Sequence, residues 1–149
     1  MTNIESNIWH WYHNVSECHY HLQLTIKYRK ALLNIDTEKV ILETLSGVKE
    51  RYAIQIYEIG FDQDHVHFLL QFLPKYSGGD VVRLIKNLTA KSVFKHCPEI
   101  KKDLWGGEFW TDGYYIATVS ARGSRKVIEN YIKKQGRSRD IEQLRMFDL

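Results

Sequence analysis

The tripeptide His65-Val66-His67 has the spacing from which chemistry is most readily built. On a β-strand, residues i and i+2 point to the same side. Both imidazoles therefore share one face, while Val66, Phe68, Leu70 and Phe72 share the other. Two neutral imidazoles this close can ligate a divalent cation, or they can be two unmetallated histidines facing solvent. A second constellation lies in IENYIKKQG. Tyr131 and Gln135 are four residues apart, which makes them neighbours on one helical face, with Ile128 and Ile132 beside them. Alone, Tyr131 reads as an amphipathic residue on a packing stripe. It acquires a chemical reading only if its helix crosses the face that carries the histidines.

Together these four side chains can perform phosphoryl chemistry. A tyrosine hydroxyl is a poor nucleophile at its ordinary pKa of about 10. A metal held by His65, His67 and the side-chain carbonyl of Gln135 would withdraw charge from a phosphodiester and hold the phosphorus in line. Attack by Tyr131 would leave a phosphotyrosine and a free 3′ hydroxyl, keeping the phosphodiester bond in covalent form. Such a transesterification needs no nucleotide hydrolysis, and the chain has no GxxxxGK[ST] loop. No general base for Tyr131 stands out.

The elements that must position these groups follow from periodicity. CHYHLQLTIKY alternates, with Tyr20, Leu22, Leu24 and Ile26 on one face and His19, His21, Gln23 and Thr25 on the other, which predicts a half-buried strand. Asp36-Thr37 reads as a cap for one helix over EKVILETLSGVKERY, where Val40, Ile41, Leu45 and Val48 recur at helical spacing. AIQIYEIGF and HVHFLLQFL read as a hairpin turning at Phe61–Asp64, and Pro74 ends its second strand. Ser77-Gly78-Gly79-Asp80 opens a helix over VVRLIKNLTAKSVFKH, closed by Pro98. Residues 99–111 read as a loop, DGYYIATVS as a fourth strand, and 124–136 as a last helix.

The order β-α-β-β-α-β-α predicts an α+β, ferredoxin-like (RRM-like) βαββαβ sheet with an additional C-terminal helix. Two helices would cover one sheet face, and the extra helix would lie over the other. The whole chain, 1–149, reads as one domain of ordinary size, with residues 1–16 as an N-terminal arm and 137–149 as a tail. In the arm, Trp9 and Trp11 read as cover for a core edge rather than as stacking platforms for bases.

Apolar residues at 44% and charged residues at 26% describe a soluble globular protein. There is no transmembrane stretch and no signal-peptide pattern at residues 1–14. Cys18 and Cys97 form no CxxC, so they are expected to be reduced thiols in the cytoplasm. The net charge of +3 is unevenly spread: residues 1–74 carry 6 Lys/Arg against 9 Asp/Glu, and residues 75–149 carry 15 against 9. A basic half attracts phosphate backbones. Candidate contacts are Arg83, Lys86 and Lys91 on the second helix and Arg122, Lys133 and Lys134 around the tyrosine. Trp105, Phe109 and Trp110 read as core or interface.

Five blocks in order carry a resemblance: YHLQLTIKYRKALL, DHVHFLL, PKYSGGDVVRLIKNLTAKSVF, LWGGEFWTDGYYIATVS and IENYIKKQG. From about Tyr20 to Gln135 the chain resembles the single-tyrosine HUH transposases of the IS two-hundred/six-oh-five insertion-sequence group, in which HUH denotes His, a hydrophobic residue, His. The resemblance implies Tyr131 as nucleophile and Mg²⁺ or Mn²⁺ held by His65, His67 and Gln135. It implies a homodimer joined edge to edge, with the tyrosine helix of one subunit able to complete the other's site in trans. It also implies single-stranded DNA with hairpins at transposon ends as the partner, cleaved and rejoined. Asp64 reads as a turn residue that orients an imidazole. Two alternatives remain: a domesticated relative acting on repeat hairpins by the same chemistry, and a non-enzymatic ferredoxin-like nucleic-acid-binding module. RNA-binding sheets of that shape display aromatics on the open face, where this chain offers His65, His67 and Gln71.

Overall fold

The computed structural model describes residues 9–11 and 13–119 together with Asn130 and Ile132. Its elements are β1 (Trp9–Trp11), β2 (Asn14–Ser16), β3 (His19–Thr25), α1 (Ile35–Leu45), α2 (Val48–Tyr52), β4 (Ile54–Phe61), β5 (His65–Phe72), α3 (Gly78–His96) and β6 (Tyr115–Val119). The last four strands form one antiparallel sheet in the order β4-β5-β3-β6. The helices α1 and α2 connect β3 to β4, and α3 connects β5 to β6. This is the ferredoxin-like arrangement that the element order predicts.

The alternation in β3 and β5 divides the sheet as expected. Leu22, Leu24, Val66, Phe68 and Leu70 enter one core with Ile41 and Leu45 of α1 and Ile85 of α3, all essentially sealed from water. That burial of apolar surface is what holds the helices on this face. The histidine-bearing face is left to other partners. In β4 the alternation is interrupted between Ile56 and Glu58, where the register with β5 shifts at a bulge that holds Tyr57. The extra residue lets Ile54 and Ile56 before it, and Ile59 and Phe61 after it, all reach the same core.

Three local expectations differ from the structure. The first helix starts earlier than Asp36-Thr37. Asn34 is the cap, its side chain accepting from the N–H groups of Asp36 and Thr37 at 3.0 and 3.1 Å, while Thr37 Oγ1 accepts from Asn34 N–H at 2.8 Å. That helix is also broken in two. The Ser46 hydroxyl donates to the Glu43 carbonyl at 2.7 Å, and Gly47 adopts φ −104°, ψ 4°, so a competing side-chain bond and a flexible residue end α1 before α2 begins. The N-terminal arm contains a two-stranded hairpin, β1 pairing with β2 from Trp9↔Ser16 to Trp11↔Asn14.

The segment read as a loop is also more ordered than its composition suggests. Pro98–Asp103 forms a 3₁₀ turn, and Phe109 and Trp110 are buried. The Trp110 indole N–H donates to Thr89 Oγ1 at 2.9 Å, and that hydroxyl donates to the Ile85 carbonyl at 2.7 Å. Trp105 differs from both, with 86% of its surface exposed.

Replacing Thr89 by valine keeps the shape but strands a buried indole N–H. The expected cost is about 1–3 kcal/mol, read from urea unfolding midpoints. Adding Trp110→Phe should recover part of the loss, because no donor is then left unsatisfied. A fully additive double variant would show that the two side chains are not coupled.

Candidate functional site

The β3–β5 register defines the site. Gln23 lies opposite His67, Thr25 opposite His65, and His21 opposite Leu69. On the other side of β5, Gly60 of β4 lies opposite His67 and Glu58 opposite Leu69. Directly paired residues of antiparallel strands share a face. His21, Gln23, Gly60, His65 and His67 are therefore on one surface, the one that α1 and α3 leave uncovered.

Each site histidine is held through its Nδ1. Asp64 Oδ1 lies 2.6 Å from His65 Nδ1, and its second oxygen lies 3.6 Å from the Arg29 guanidinium. The backbone fixes this carboxylate in turn, because Ile26 N–H donates to the Asp64 carbonyl at 2.8 Å. The His65 hydrogen bond is the main reason the Asp64 carboxyl titrates below its usual range, with Arg29 assisting. Asp62, at the other end of the turn, brings a carboxylate oxygen to 3.8 Å from His65 Nε2. His67 Nδ1 lies 3.0 Å from His21 Nε2, within a buried pair. The rings of His65 and His67 are 4.9 Å apart and nearly perpendicular.

Burial removes charge from the deeper rings. His67 is 3% exposed, and its pKa is lowered to about 4, chiefly by loss of hydration and further by the neighbouring His65 and His21. His21 is also lowered by burial. A ring that stays neutral in neutral solution keeps a lone pair for a cation. With Nδ1 of both His65 and His67 engaged by a neighbour, Nε2 is the remaining donor atom on each, the pattern of metal-ligating imidazoles. The pair therefore fits a divalent cation. Among the described residues, no group of three or more His, Cys, Asp and Glu side chains is arranged to hold one.

Tyr131, Gln135, Arg122, Lys133 and Lys134 lie outside the described residues. The two neighbours of Tyr131 do not: Asn130 and Ile132 are helical, Asn130 exposed and Ile132 fully buried. Ile132 packs with Leu69, Val119 and Tyr57 on the histidine-bearing face. It sits over Gly60, where a Cβ atom would come within 2.5 Å of the Ile132 carbonyl oxygen and 2.7 Å of its side chain. Gly60 is thus a seat that only a missing side chain provides, directly across the strand pair from His67.

The remaining basic candidates are on the other layer. Arg83, Lys86 and Lys91 belong to α3, which packs on the opposite sheet face from the histidines. Arg83 and Lys91 are exposed, Arg83 beside Asp80 at 3.4 Å. The Lys86 ammonium instead donates to the carbonyls of Thr111, Asp112 and Gly113 at 2.7, 3.2 and 3.0 Å, pinning the segment that leads into β6. Its pKa is lowered, mainly by burial. Lys86, a candidate phosphate contact by sequence, thus ties this segment to α3. Sequence reasoning also missed His21, Asp62 and Gly60. Alternation put His21 on the correct face, but only the strand register brings it to His67.

The chain matches the family described as "Transposase IS200 like" over residues 14–135. It is 31% identical to the ISDra2 transposase TnpA of Deinococcus radiodurans over 121 residues, 81% of this chain and 86% of that protein. It is 28% identical to the transposase for insertion sequence element IS200 of Salmonella typhimurium over 123 residues, 83% of this chain and 80% of that protein. A crystal structure assigned as a transposase from Deinococcus radiodurans R1 superposes with a TM-score of 0.63 at 28% identity, covering 87% of this chain and 99% of that one. A REP-associated tyrosine transposase bound to a REP hairpin shares the fold, with a TM-score of 0.58 at 12% identity over 83% of this chain and 69% of that one.

The lowered histidines make stability depend on pH with a defined sign. In the unfolded chain these rings take up protons near pH 6.5, whereas folded His67 does so only near 4. The contribution is full above about pH 6.5 and is lost as the pH falls towards 4. Urea midpoints should therefore decline over that window, and His67→Phe should flatten the decline. A slope unchanged by that substitution would assign it to other groups.

Proposed function

The chain belongs to the IS200-like transposase family, and we propose that it cleaves and rejoins single-stranded DNA at hairpin-bearing transposon ends through a covalent 5′-phosphotyrosine formed on Tyr131. The observation that carries this reading is the convergence on one sheet face of two imidazoles, each held through its Nδ1, and of Ile132, the residue next to Tyr131, seated beside them.

In this reading His65, His67 and Gln135 hold Mg²⁺ or Mn²⁺. When bound, the cation neutralises charge on the scissile phosphate and favours its in-line geometry. Tyr131 Oη forms a bond to phosphorus as the P–O3′ bond breaks. The tyrosine loses its proton and the departing 3′ oxygen ends as a hydroxyl, so the reaction is an exchange of esters. Attack by another strand's 3′ hydroxyl reverses the step, rejoining DNA and restoring the phenol. Asp64 holds His65 in the orientation this requires.

The DNA partner is supported by family membership and by the hairpin-bound relative of the same fold. Arg83 and Lys91, on the layer away from the histidines, are suited to phosphates of a hairpin stem rather than to the scissile one. Arg122, Lys133 and Lys134, near Tyr131 in sequence, are assigned to the reacting strand. A homodimer joined along β6 is consistent with the edge position of that strand. Seating of Ile132 on its own chain's Gly60 favours a site completed in cis in this conformation. Among the described residues no helix is long and apolar enough to cross a membrane, and the proposed setting is the cytoplasm, where the DNA is.

With a labelled single-stranded hairpin-end oligonucleotide and Mg²⁺ or Mn²⁺, the wild-type protein should yield a covalent adduct on denaturing gels. Tyr131→Phe should give none, and an undiminished adduct would overturn the assignment of the nucleophile. His65→Ala or His67→Ala should lower metal-dependent cleavage by more than about 100-fold with hairpin binding within about 3-fold.

The cis assignment has its own test. Mixed dimers of Tyr131→Phe and His67→Ala subunits contain no intact cis site. They should stay inactive, whereas recovered activity would show exchange in trans.

A further inference from the structure

The two site histidines are supported by chemically different partners. A carboxylate oxygen can only accept, so the 2.6 Å contact from Asp64 Oδ1 places a proton on His65 Nδ1. For His67 the described partner of Nδ1 is a second imidazole. The partner there is His21 Nε2, at 3.0 Å, and an imidazole nitrogen can either give or accept a proton. Only one of the two arrangements leaves His67 Nε2 with a lone pair.

We infer that His21 is a positioning residue that accepts a hydrogen bond from His67 Nδ1–H and thereby holds His67 with its Nε2 lone pair turned to the cation site. The geometry suits that role. The His21 ring lies 5.2 Å from the His67 ring at 27°, and the Tyr115 ring, from the neighbouring strand β6, lies 5.7 Å from His21 at 71°. The register supplies the rest, with His21 opposite both Leu69 of β5 and Ala117 of β6, in the interior of the sheet. His21 is 8% exposed, so water competes little for the His67 proton. This inference rests on the proposed function only in taking His67 as a metal ligand. The tautomer itself is a property of the metal-free chain.

The test therefore has two arms. Long-range ¹H–¹⁵N correlation on the metal-free full chain, with histidine ¹⁵N labels, should show His67 as the Nδ1–H tautomer. His21→Phe, which keeps a ring but no acceptor, should shift His67 towards Nε2–H, and His21→Gln, whose amide oxygen can accept, should restore the wild-type pattern. In parallel, Mn²⁺ titration followed by electron paramagnetic resonance should show His21→Phe binding about 10–100-fold more weakly and His21→Gln within about 3-fold of wild type.

Wild-type His67 found as Nε2–H would overturn the inference without any variant. So would His21→Phe leaving both tautomer and Mn²⁺ affinity unchanged while His67→Ala lowers that affinity. If His67→Ala leaves Mn²⁺ affinity intact, it is the ligand assignment of the proposed function that fails. The tautomer arm still reports whether the His21 bond exists.

Discussion

A slip of one residue in the pairing of β3 with β5 would turn His65 and His67 into the helix-covered core and expel Val66 and Phe68 to the other side. The site therefore depends on the same alternation that builds the hydrophobic core. Leu22, Leu24, Val66 and Phe68 are fully buried under α1 and α3, and the free energy of keeping them there fixes the register. The histidines are placed as a consequence. Mutations that loosen the core are thus expected to reach the site through strand pairing, without touching any reacting group.

Once the face is chosen, orientation is settled by hydrogen bonds and burial. Asp64 joins several tasks at one turn: its carbonyl accepts from Ile26, one carboxylate oxygen holds His65, and the other meets Arg29. His67 lies deeper, with His21 on its Nδ1 and a protonated form disfavoured by lost hydration. A rigid strand pair carrying imidazoles held at Nδ1 by a neighbour has little freedom left to reorient them. Family membership says that this frame processes DNA; the geometry says how the imidazoles of the described face are held.

Much of this was legible in the sequence because it rests on periods of two and 3.6. His65-Val66-His67, Leu22-x-Leu24 and the helix over Val81, Ile85 and Phe94 show their faces directly. The element order then leaves few topologies. What periodicity could not supply was anything that depends on two strands at once, such as the meeting of His21 with His67. The parity change in β4, apolar at 54 and 56 and then at 59 and 61, does signal the bulge at Tyr57. The Lys86 contacts were hidden for a different cause: a basic residue on an amphipathic helix looks solvated until three carbonyls from another segment close over it. Helix boundaries moved because the Asn34 and Ser46 side chains compete for backbone groups.

Gly60 has a consequence of its own. With the Ile132 carbonyl lying where a methyl group would be, Ile132 is indexed against β4 by an absence, as a key is by its notch. Neighbouring positions in β4 carry Ile59 and Phe61, whose side chains go to the opposite face, so this bare spot is the closest approach the sheet allows. The lengthwise setting of Ile132 is therefore graduated in single residues. The fit of Ile132 on the imidazole-bearing face is, on this view, a mechanical tolerance set by a hydrogen atom.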